Sequence, residues 1–213
     1  MRLSGQRFFL IPNAMLAITL IIAPVTLAKE KPDDSSGRAG SWRHGTQGSP
    51  SVEACRKKVA AEPNNADAQN DLGWALRQNG DLKGAEAALR QSIKLNDSSP
   101  YPHSNLSVVL MDQNHPDQAL AEARKAVSLK SDEPIFHVVL GNALSATDDR
   151  KAAIEEYKAA LKQRPDYENA MYNLGRCLND DGQITEAKLT LSQALDLDPN
   201  DERVLKILDK ILQ

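Results

Sequence analysis

Two histidines and two cysteines are the residues of this sequence whose chemistry is easiest to recognise. His103 and His137 lie 34 residues apart, and Cys55 and Cys177 are the only thiols. Imidazole and thiolate groups bind Zn²⁺, but no carboxylate or thiol shares the spacing of the histidines in a ligand motif. The GxSxG, HExxH, P-loop and Gly-rich dinucleotide motifs do not occur. We therefore predict no catalytic residue, cofactor or metal, and the histidine pair stays the one candidate for a metal site.

The 34-residue spacing of the histidines is also the period of the surrounding sequence. Four blocks align without a gap, and each has leucine at positions 7 and 11 and alanine at position 20. Apolar residues recur every three or four residues on either side of a turn such as Asn79-Gly80-Asp81, which predicts two helices per block. Position 8 is glycine in three blocks; because glycine weakens a helix interior, its recurrence indicates closely packed helices. The blocks are 66–99, 100–133, 134–167 and 168–201.

These positions resemble the tetratricopeptide repeat, whose 34-residue pattern is W-x2-L-G-x2-Y, then A-x3-F, then P. The third block carries Leu140-Gly141, Ala153, Tyr157 and Pro165 at matching positions. The resemblance implies an all-α fold, an α-α superhelix of antiparallel helix pairs that forms a tetratricopeptide-repeat solenoid with a C-terminal capping helix.

The second block departs from this pattern. Ser107 replaces the glycine at position 8 and Ala123 replaces the aromatic residue at position 24, so we expect looser packing there. Asp97 and Ser131 stand where the family places proline near the end of the first two blocks.

Residues 51–213 form the predicted repeat domain, with half a repeat at 51–65 and a cap at 202–213. The cap is amphipathic, as the exposed end of a repeat array requires. The repeat frame places Cys55 at position 24 and Cys177 at position 10, so both are interpreted as small core residues. Several repeats separate them, which excludes a disulfide between them.

The N-terminal residues resemble a targeting segment. Two arginines precede an apolar stretch that ends in Thr26-Leu27-Ala28, the order of a signal peptide at 1–28. The alternative is an N-terminal membrane anchor, with 8–28 as the tether, because 21 residues can span a bilayer. Residues 29–50 are rich in Gly, Ser and Pro, and predict a disordered tether. These segments predict an exported, periplasmic protein, or alternatively an inner-membrane anchor with a periplasmic repeat domain.

The charge balance argues against a nucleic-acid partner. Without residues 1–28, which contain Arg2 and Arg7, the basic residues fall from 26 to 24 against 29 acidic ones, a net charge of −5. Nucleic-acid binders normally present a basic face. The sequence leaves the oligomeric state open.

The family resemblance implies that positions 2, 5, 9 and 12 of each first helix line a concave groove. Trp74, Tyr101 and Tyr172 are residue types that dominate binding hot spots, and Arg77 and Arg176 could hold a carboxylate. No lysine occupies these positions, which disfavours a grip on a C-terminal carboxylate. The predicted groove residues are Asn70, Trp74, Arg77, Tyr101, Val108, Met111, Ile135, Val138, Asn142, Tyr172, Arg176 and Asn179.

The predicted function is that of a non-catalytic scaffold or adaptor that binds a partner peptide or protein in this groove, within an envelope or secretion assembly. The alternative is a structural component that self-associates and has no peptide ligand.

Overall fold

The structure is a computed structural model that describes residues 51–213, which form ten α-helices. The predicted signal or anchor and the tether, residues 1–50, lie outside the described residues. Across 51–213, no helix has the length and apolar character needed to cross a membrane. The helices are α1 (Val52–Ala61), α2 (Ala66–Gln78), α3 (Leu82–Leu95), α4 (Pro100–Asp112), α5 (Pro116–Leu129), α6 (Pro134–Ala146), α7 (Arg150–Gln163), α8 (Glu168–Asp180), α9 (Ile184–Leu197) and α10 (Glu202–Leu212).

The turn between the two helices of every repeat is made by a residue with positive φ. Gly80 and Gly182 have φ of 84° and 81°, and the equivalent Asn114 and Asp148 have φ of 63° and 65°. Glycine, asparagine and aspartate are the residues that tolerate this left-handed conformation. The chain therefore reverses its direction at position 15 of every repeat, so the two helices run antiparallel.

The helices contact one another in a pattern that curves the array. Each helix packs on the next, and the first helices α2, α4, α6, α8 and α10 also touch one another in succession. The second helices α3, α5, α7 and α9 make no such contact with one another. Closely spaced first helices beside separated second helices bend the stack, so the first helices form its inner surface. The predicted all-α solenoid of antiparallel pairs is confirmed.

Position 8 of the first helix sets how closely the two helices of a repeat approach. A Cβ built on Gly73 or Gly175 would lie 2.5 Å from the Cγ of Leu89 or Leu191 on the second helix, and a Cβ on Gly141 would lie 2.6 Å from a ring carbon of Tyr157. A large residue at position 24 therefore requires glycine at position 8.

The second repeat exchanges these sizes, with Ser107 at position 8 and Ala123 at position 24. Both residues are fully buried, so the looser packing expected from the sequence does not expose them. The exchange leaves the Ser107 hydroxyl without a hydrogen-bond partner inside the described region.

The two cysteines are buried core residues with free thiols, as predicted. Cys55 lies on α1 and Cys177 on α8, two helices that make no contact. Burial raises the pKa of both thiols, which makes them poor nucleophiles near neutral pH.

Candidate functional site

A cavity of about 260 Å³ lies among α4, α6, α8 and α10, on the inner surface formed by the first helices. Five predicted groove residues come together here: Val108, Ile135, Val138, Asn142 and Tyr172. Five other residues complete the lining: Val139, Tyr167, Asn169, Asn173 and Arg203.

The apolar part of this pocket is formed by α4 and α6. On α6, Ile135 lies one turn before the adjacent Val138 and Val139, and Val108 faces them from α4. The three α6 residues are buried, whereas Val108 is half-buried. These branched side chains are stiff, so they present a fixed apolar wall.

Amide side chains form much of the polar part. The Tyr157 hydroxyl donates to Asn142 Oδ1 at 2.8 Å, which leaves the amide NH₂ of Asn142 to serve the pocket as a donor. Asn169 and Asn173 line the pocket from α8. An amide both donates and accepts, the combination that pairs with a peptide backbone.

Arg203 of α10 closes the opposite side of the pocket. Its guanidinium stands over the Tyr172 ring at 4.7 Å, and Nη1 donates to Asn169 Oδ1 at 3.3 Å. Asp201 accepts from Nε at 3.1 Å and from Nη2 at 2.7 Å. These hydrogen bonds lower the pKa of Asp201 and raise that of Arg203, so the pair stays charged at neutral pH. The aspartate fixes the arginine, and the arginine in turn fixes the tyrosine.

Three predicted groove residues are used instead to join α2 to the rest of the array. Asn70 is buried, and its Oδ1 accepts from Asn105 at 2.8 Å. Arg77 Nε donates to Asp112 at 2.6 Å, and its guanidinium lies 4.8 Å from the centre of the Trp74 ring. Trp74 is only 1 % exposed. The carboxylate expected to bind Arg77 is thus one from the same chain.

The other four predicted residues lie outside the pocket. Tyr101 packs edge-on against Phe136 with ring centres 5.6 Å apart, and Met111 is half-buried against the core. Arg176 lies near the Tyr157 phenol, where its charge opposes the rise in the pKa of Tyr157 that burial causes. The amide of Asn179 donates to its neighbour Asp180 at 3.3 Å.

The repeat numbering also points to Arg203 as a groove residue. It was not predicted because residues 202–213 were interpreted only as a cap. Continuing the 34-residue numbering past residue 201 places Arg203 at position 2, equivalent to Asn169. Lys206 and Lys210 then take positions 5 and 9, so the cap supplies the lysines that the first four repeats lack at these positions. Val139 and Asn173 share position 6, next to the position used for prediction.

The two histidines make the same contact in adjacent repeats. His103 Nδ1 lies 2.7 Å from Glu122 Oε2, and His137 Nδ1 lies 2.7 Å from Glu156 Oε2. Each Nε2 faces a carbonyl oxygen of the preceding linker, at 3.4 Å and 3.0 Å. Each ring therefore fastens its own two helices together and to the linker before them. From residue 51 onward, no group of three metal-ligating side chains comes together.

Three family models described as the tetratricopeptide repeat match this chain, at residues 52–100, 100–125 and 144–211. Among curated proteins, the human protein O-mannosyl-transferase TMTC1 is 28 % identical over 159 residues, which is 73 % of this chain and 18 % of that protein. The chain thus spans less than a fifth of this relative.

Solved structures share the fold. A structure of MamA superposes with a TM-score of 0.61 at 21 % identity, covering 70 % of this chain and 86 % of that one. YrrB, described as a tetratricopeptide-repeat protein with an unusual peptide-binding site, superposes with a TM-score of 0.61 at 20 % identity, covering 76 % and 92 %.

Proposed function

Since the chain belongs to the tetratricopeptide-repeat family, we propose that it is a non-catalytic adaptor that binds an extended segment of a partner protein in the pocket among α4, α6, α8 and α10. A branched aliphatic side chain of the segment lies against Val108, Ile135 and Val138. The backbone on either side of it exchanges hydrogen bonds with Asn142 and Asn173.

The main support for this proposal is that one cavity is lined by both a stiff apolar wall and several side-chain amides. The volume of about 260 Å³ suits one or two amino-acid side chains. Side-chain amides form hydrogen bonds with backbone N–H and C=O groups that have no other partner. An extended segment offers such groups, whereas those of a helix bond to one another. YrrB, which shares the fold, is described as having a peptide-binding site.

We further propose that the adaptor is exported and acts in an envelope or secretion assembly. The support is the order of residues 1–28: arginines, an apolar stretch and a small-residue exit. Edman sequencing of the protein recovered separately from the envelope and cytosolic fractions tests this. An N-terminus at Lys29 supports export with cleavage, whereas an intact Met1 in a membrane pellet supports the anchor. An intact chain in the cytosol contradicts both.

Panning a random peptide phage library on the immobilised chain tests the pocket. An enriched peptide is then labelled and titrated by fluorescence anisotropy with wild type, Val138→Asp and Asn173→Ala. We expect Val138→Asp to abolish binding because it places a charge against the apolar wall. Asn173→Ala removes the side-chain amide that exchanges hydrogen bonds with the backbone of the peptide, so the Kd for the peptide should rise roughly five- to tenfold.

The control is Arg124→Ala, which removes an exposed side chain from the second helix α5, away from the pocket. Wild-type affinity in this variant, together with losses in the two pocket variants, supports the proposal. An enriched peptide whose affinity Val138→Asp and Asn173→Ala leave unchanged refutes it, provided that circular dichroism shows the variants folded.

A further inference from the structure

Helix α10 is held to the array by a small buried surface. Among residues 51–213 it packs only on α8 and α9. Val204 is its single fully buried residue, and Ile207, Leu208 and Ile211 are partly buried around it. By comparison, α8 buries five residues. Elements with few buried contacts open at a low free-energy cost, so α10 can leave α8 and α9 while the rest of the array stays folded.

Arg203 connects α10 to the pocket. It is the one residue that α10 contributes to the pocket lining. Its guanidinium stands over the Tyr172 ring and donates to Asn169, and both of these residues line the pocket from α8. When α10 leaves, the pocket therefore loses one wall, and Tyr172 and Asn169 lose the partner that orients their side chains.

Asp201 joins the formation of α10 to the placement of Arg203. It is the N-cap of α10, and its Oδ1 accepts from the backbone N–H of Arg203 at 2.9 Å and from that of Val204 at 3.4 Å. The same carboxylate accepts from Nε and Nη2 of the Arg203 side chain. One carboxylate thus begins the helix and orients its arginine, so Arg203 reaches the pocket when α10 is both formed and docked.

A ligand that contacts Arg203 binds the chain more tightly when α10 is docked than when it is not. The effect is reciprocal, because the ligand favours docking by the same factor by which docking favours the ligand. We propose that binding of a partner segment in the pocket is coupled in this way to docking of α10, which serves as a releasable wall of the site. This inference rests on the proposed function, since it requires the segment to occupy the pocket.

Hydrogen exchange of the full chain, with and without the peptide enriched by panning, measures the coupling. At a peptide concentration of about 100 times the Kd, exchange of the α10 amides should slow by up to about 100-fold if the peptide binds only the docked state. Amides 208–212 report docking, because they lie more than a turn beyond Arg203 and outside the pocket lining. The control is α1, which packs on α2 and does not line the pocket, so its exchange should not change.

A pair of matched substitutions tests the reverse direction. Val204 is fully buried and does not line the pocket, so Val204→Asp should displace α10 without altering a pocket residue. The Kd for the peptide should then rise about tenfold or more, because the apparent affinity falls with the fraction of docked chains. Cys55→Asp places the same charge on the buried side of α1 and should leave the Kd at its wild-type value. Circular dichroism should show that each variant loses the signal of about one helix.

Arg203→Gln breaks the link and keeps the fold, because the Arg203 side chain is 46 % exposed. The Kd for the peptide should rise roughly three- to tenfold. The peptide should also slow exchange at 208–212 much less than it does in wild type, a change that a general loss of affinity does not cause when the peptide is kept at about 100 times the new Kd.

Three results would overturn the coupling. The first is wild-type exchange at 208–212 that saturating peptide leaves unchanged. The second is a wild-type Kd in Val204→Asp, and the third is an equal loss of affinity in Val204→Asp and Cys55→Asp, which would reflect the stability of the whole array.

The proposed function fails by a different result. A peptide whose affinity Val138→Asp leaves unchanged binds outside the pocket, and the coupling then fails with it. Loss of binding in Val138→Asp, together with unchanged exchange in α10, supports the peptide pocket and refutes the coupling alone.

Discussion

Replacing Gly141 by alanine tests the idea that position 8 fixes the spacing between helices. The new methyl group would lie 2.6, 2.8 and 2.9 Å from three ring carbons of Tyr157. The ring is rigid, fully buried, and held at its hydroxyl by the hydrogen bond to Asn142, so it can move only by disturbing its neighbours.

The expected magnitude follows from two opposing effects. Overpacking a core costs about 1–3 kcal/mol, and three contacts below 3.0 Å place this site near the upper end. Alanine favours the helix over glycine by about 1 kcal/mol. The free energy of unfolding should therefore fall by about 1–2 kcal/mol.

A double-mutant cycle with Tyr157→Ala isolates the contact. Without the ring, the methyl group has space, and Gly141→Ala should become neutral or stabilising through its helix preference. The coupling energy between the two sites should be about 2–3 kcal/mol, at the upper end of values for residues in contact.

The assay is urea denaturation followed by far-ultraviolet circular dichroism. Because repeat arrays can unfold in steps, amide hydrogen exchange in α6 is measured as a second readout at low denaturant. If Gly141→Ala is at least as stable as wild type, or if its penalty persists in the Tyr157→Ala background, the spacing argument is wrong.

Three further predictions concern buried groups. Ser107→Ala, at the equivalent position of the second repeat, removes a buried hydroxyl that has no hydrogen-bond partner among residues 51–213 and should raise the free energy of unfolding by about 1 kcal/mol, measured by the same denaturation; a loss of stability would contradict the packing described for this repeat. Glu156→Ala removes the carboxylate bound to the part-buried imidazole of His137 and should cost about 1–2 kcal/mol, whereas Glu155→Ala, whose side chain is exposed, should cost less than about 0.5 kcal/mol, and equal losses would refute the role of the contact. Burial raises the pKa of Cys55 and Cys177, so stability from the neutral thiols is present below the ordinary thiol pKa and is lost as the pH rises through the raised folded-state values; both should react slowly with Ellman's reagent at pH 8 and rapidly in urea, and fast reaction of the folded chain would show that they are accessible.

The sequence predicted the fold well because the same pattern of core and turn residues occurs four times. Leucine at position 11 is buried in all four repeats, and the turn residue at position 15 has positive φ whether it is glycine, asparagine or aspartate. A residue that departs from the pattern in one repeat is compensated by the equivalent residues of the other three. A fold without repeats lacks this advantage.

The site was predicted only in part, because repeat position does not determine which neighbour a side chain meets. Asn70 and Tyr172 both take position 5 of their repeats; Asn70 bonds to Asn105 of the next repeat, whereas Tyr172 lines the pocket beneath the guanidinium of Arg203. Arg77 binds a carboxylate of its own chain because residue 112, 35 positions later, is an aspartate. Such partners depend on individual residues of adjacent repeats, which the shared pattern does not specify.

The pattern of helix contacts has a consequence for how the array forms and comes apart. Within residues 51–213, no helix reaches beyond the second helix after it in the chain, so every contact between these helices closes a short loop, and folding of the array needs no slow search between distant segments. Loss of structure proceeds inward from an end, because a terminal helix has neighbours on one side only. Pulled by its two ends, the array should lengthen in a series of small steps, each releasing about one repeat, and not in one rupture. The first helix to detach should be α10, whose Leu205 and Leu212 are 40 % and 71 % exposed.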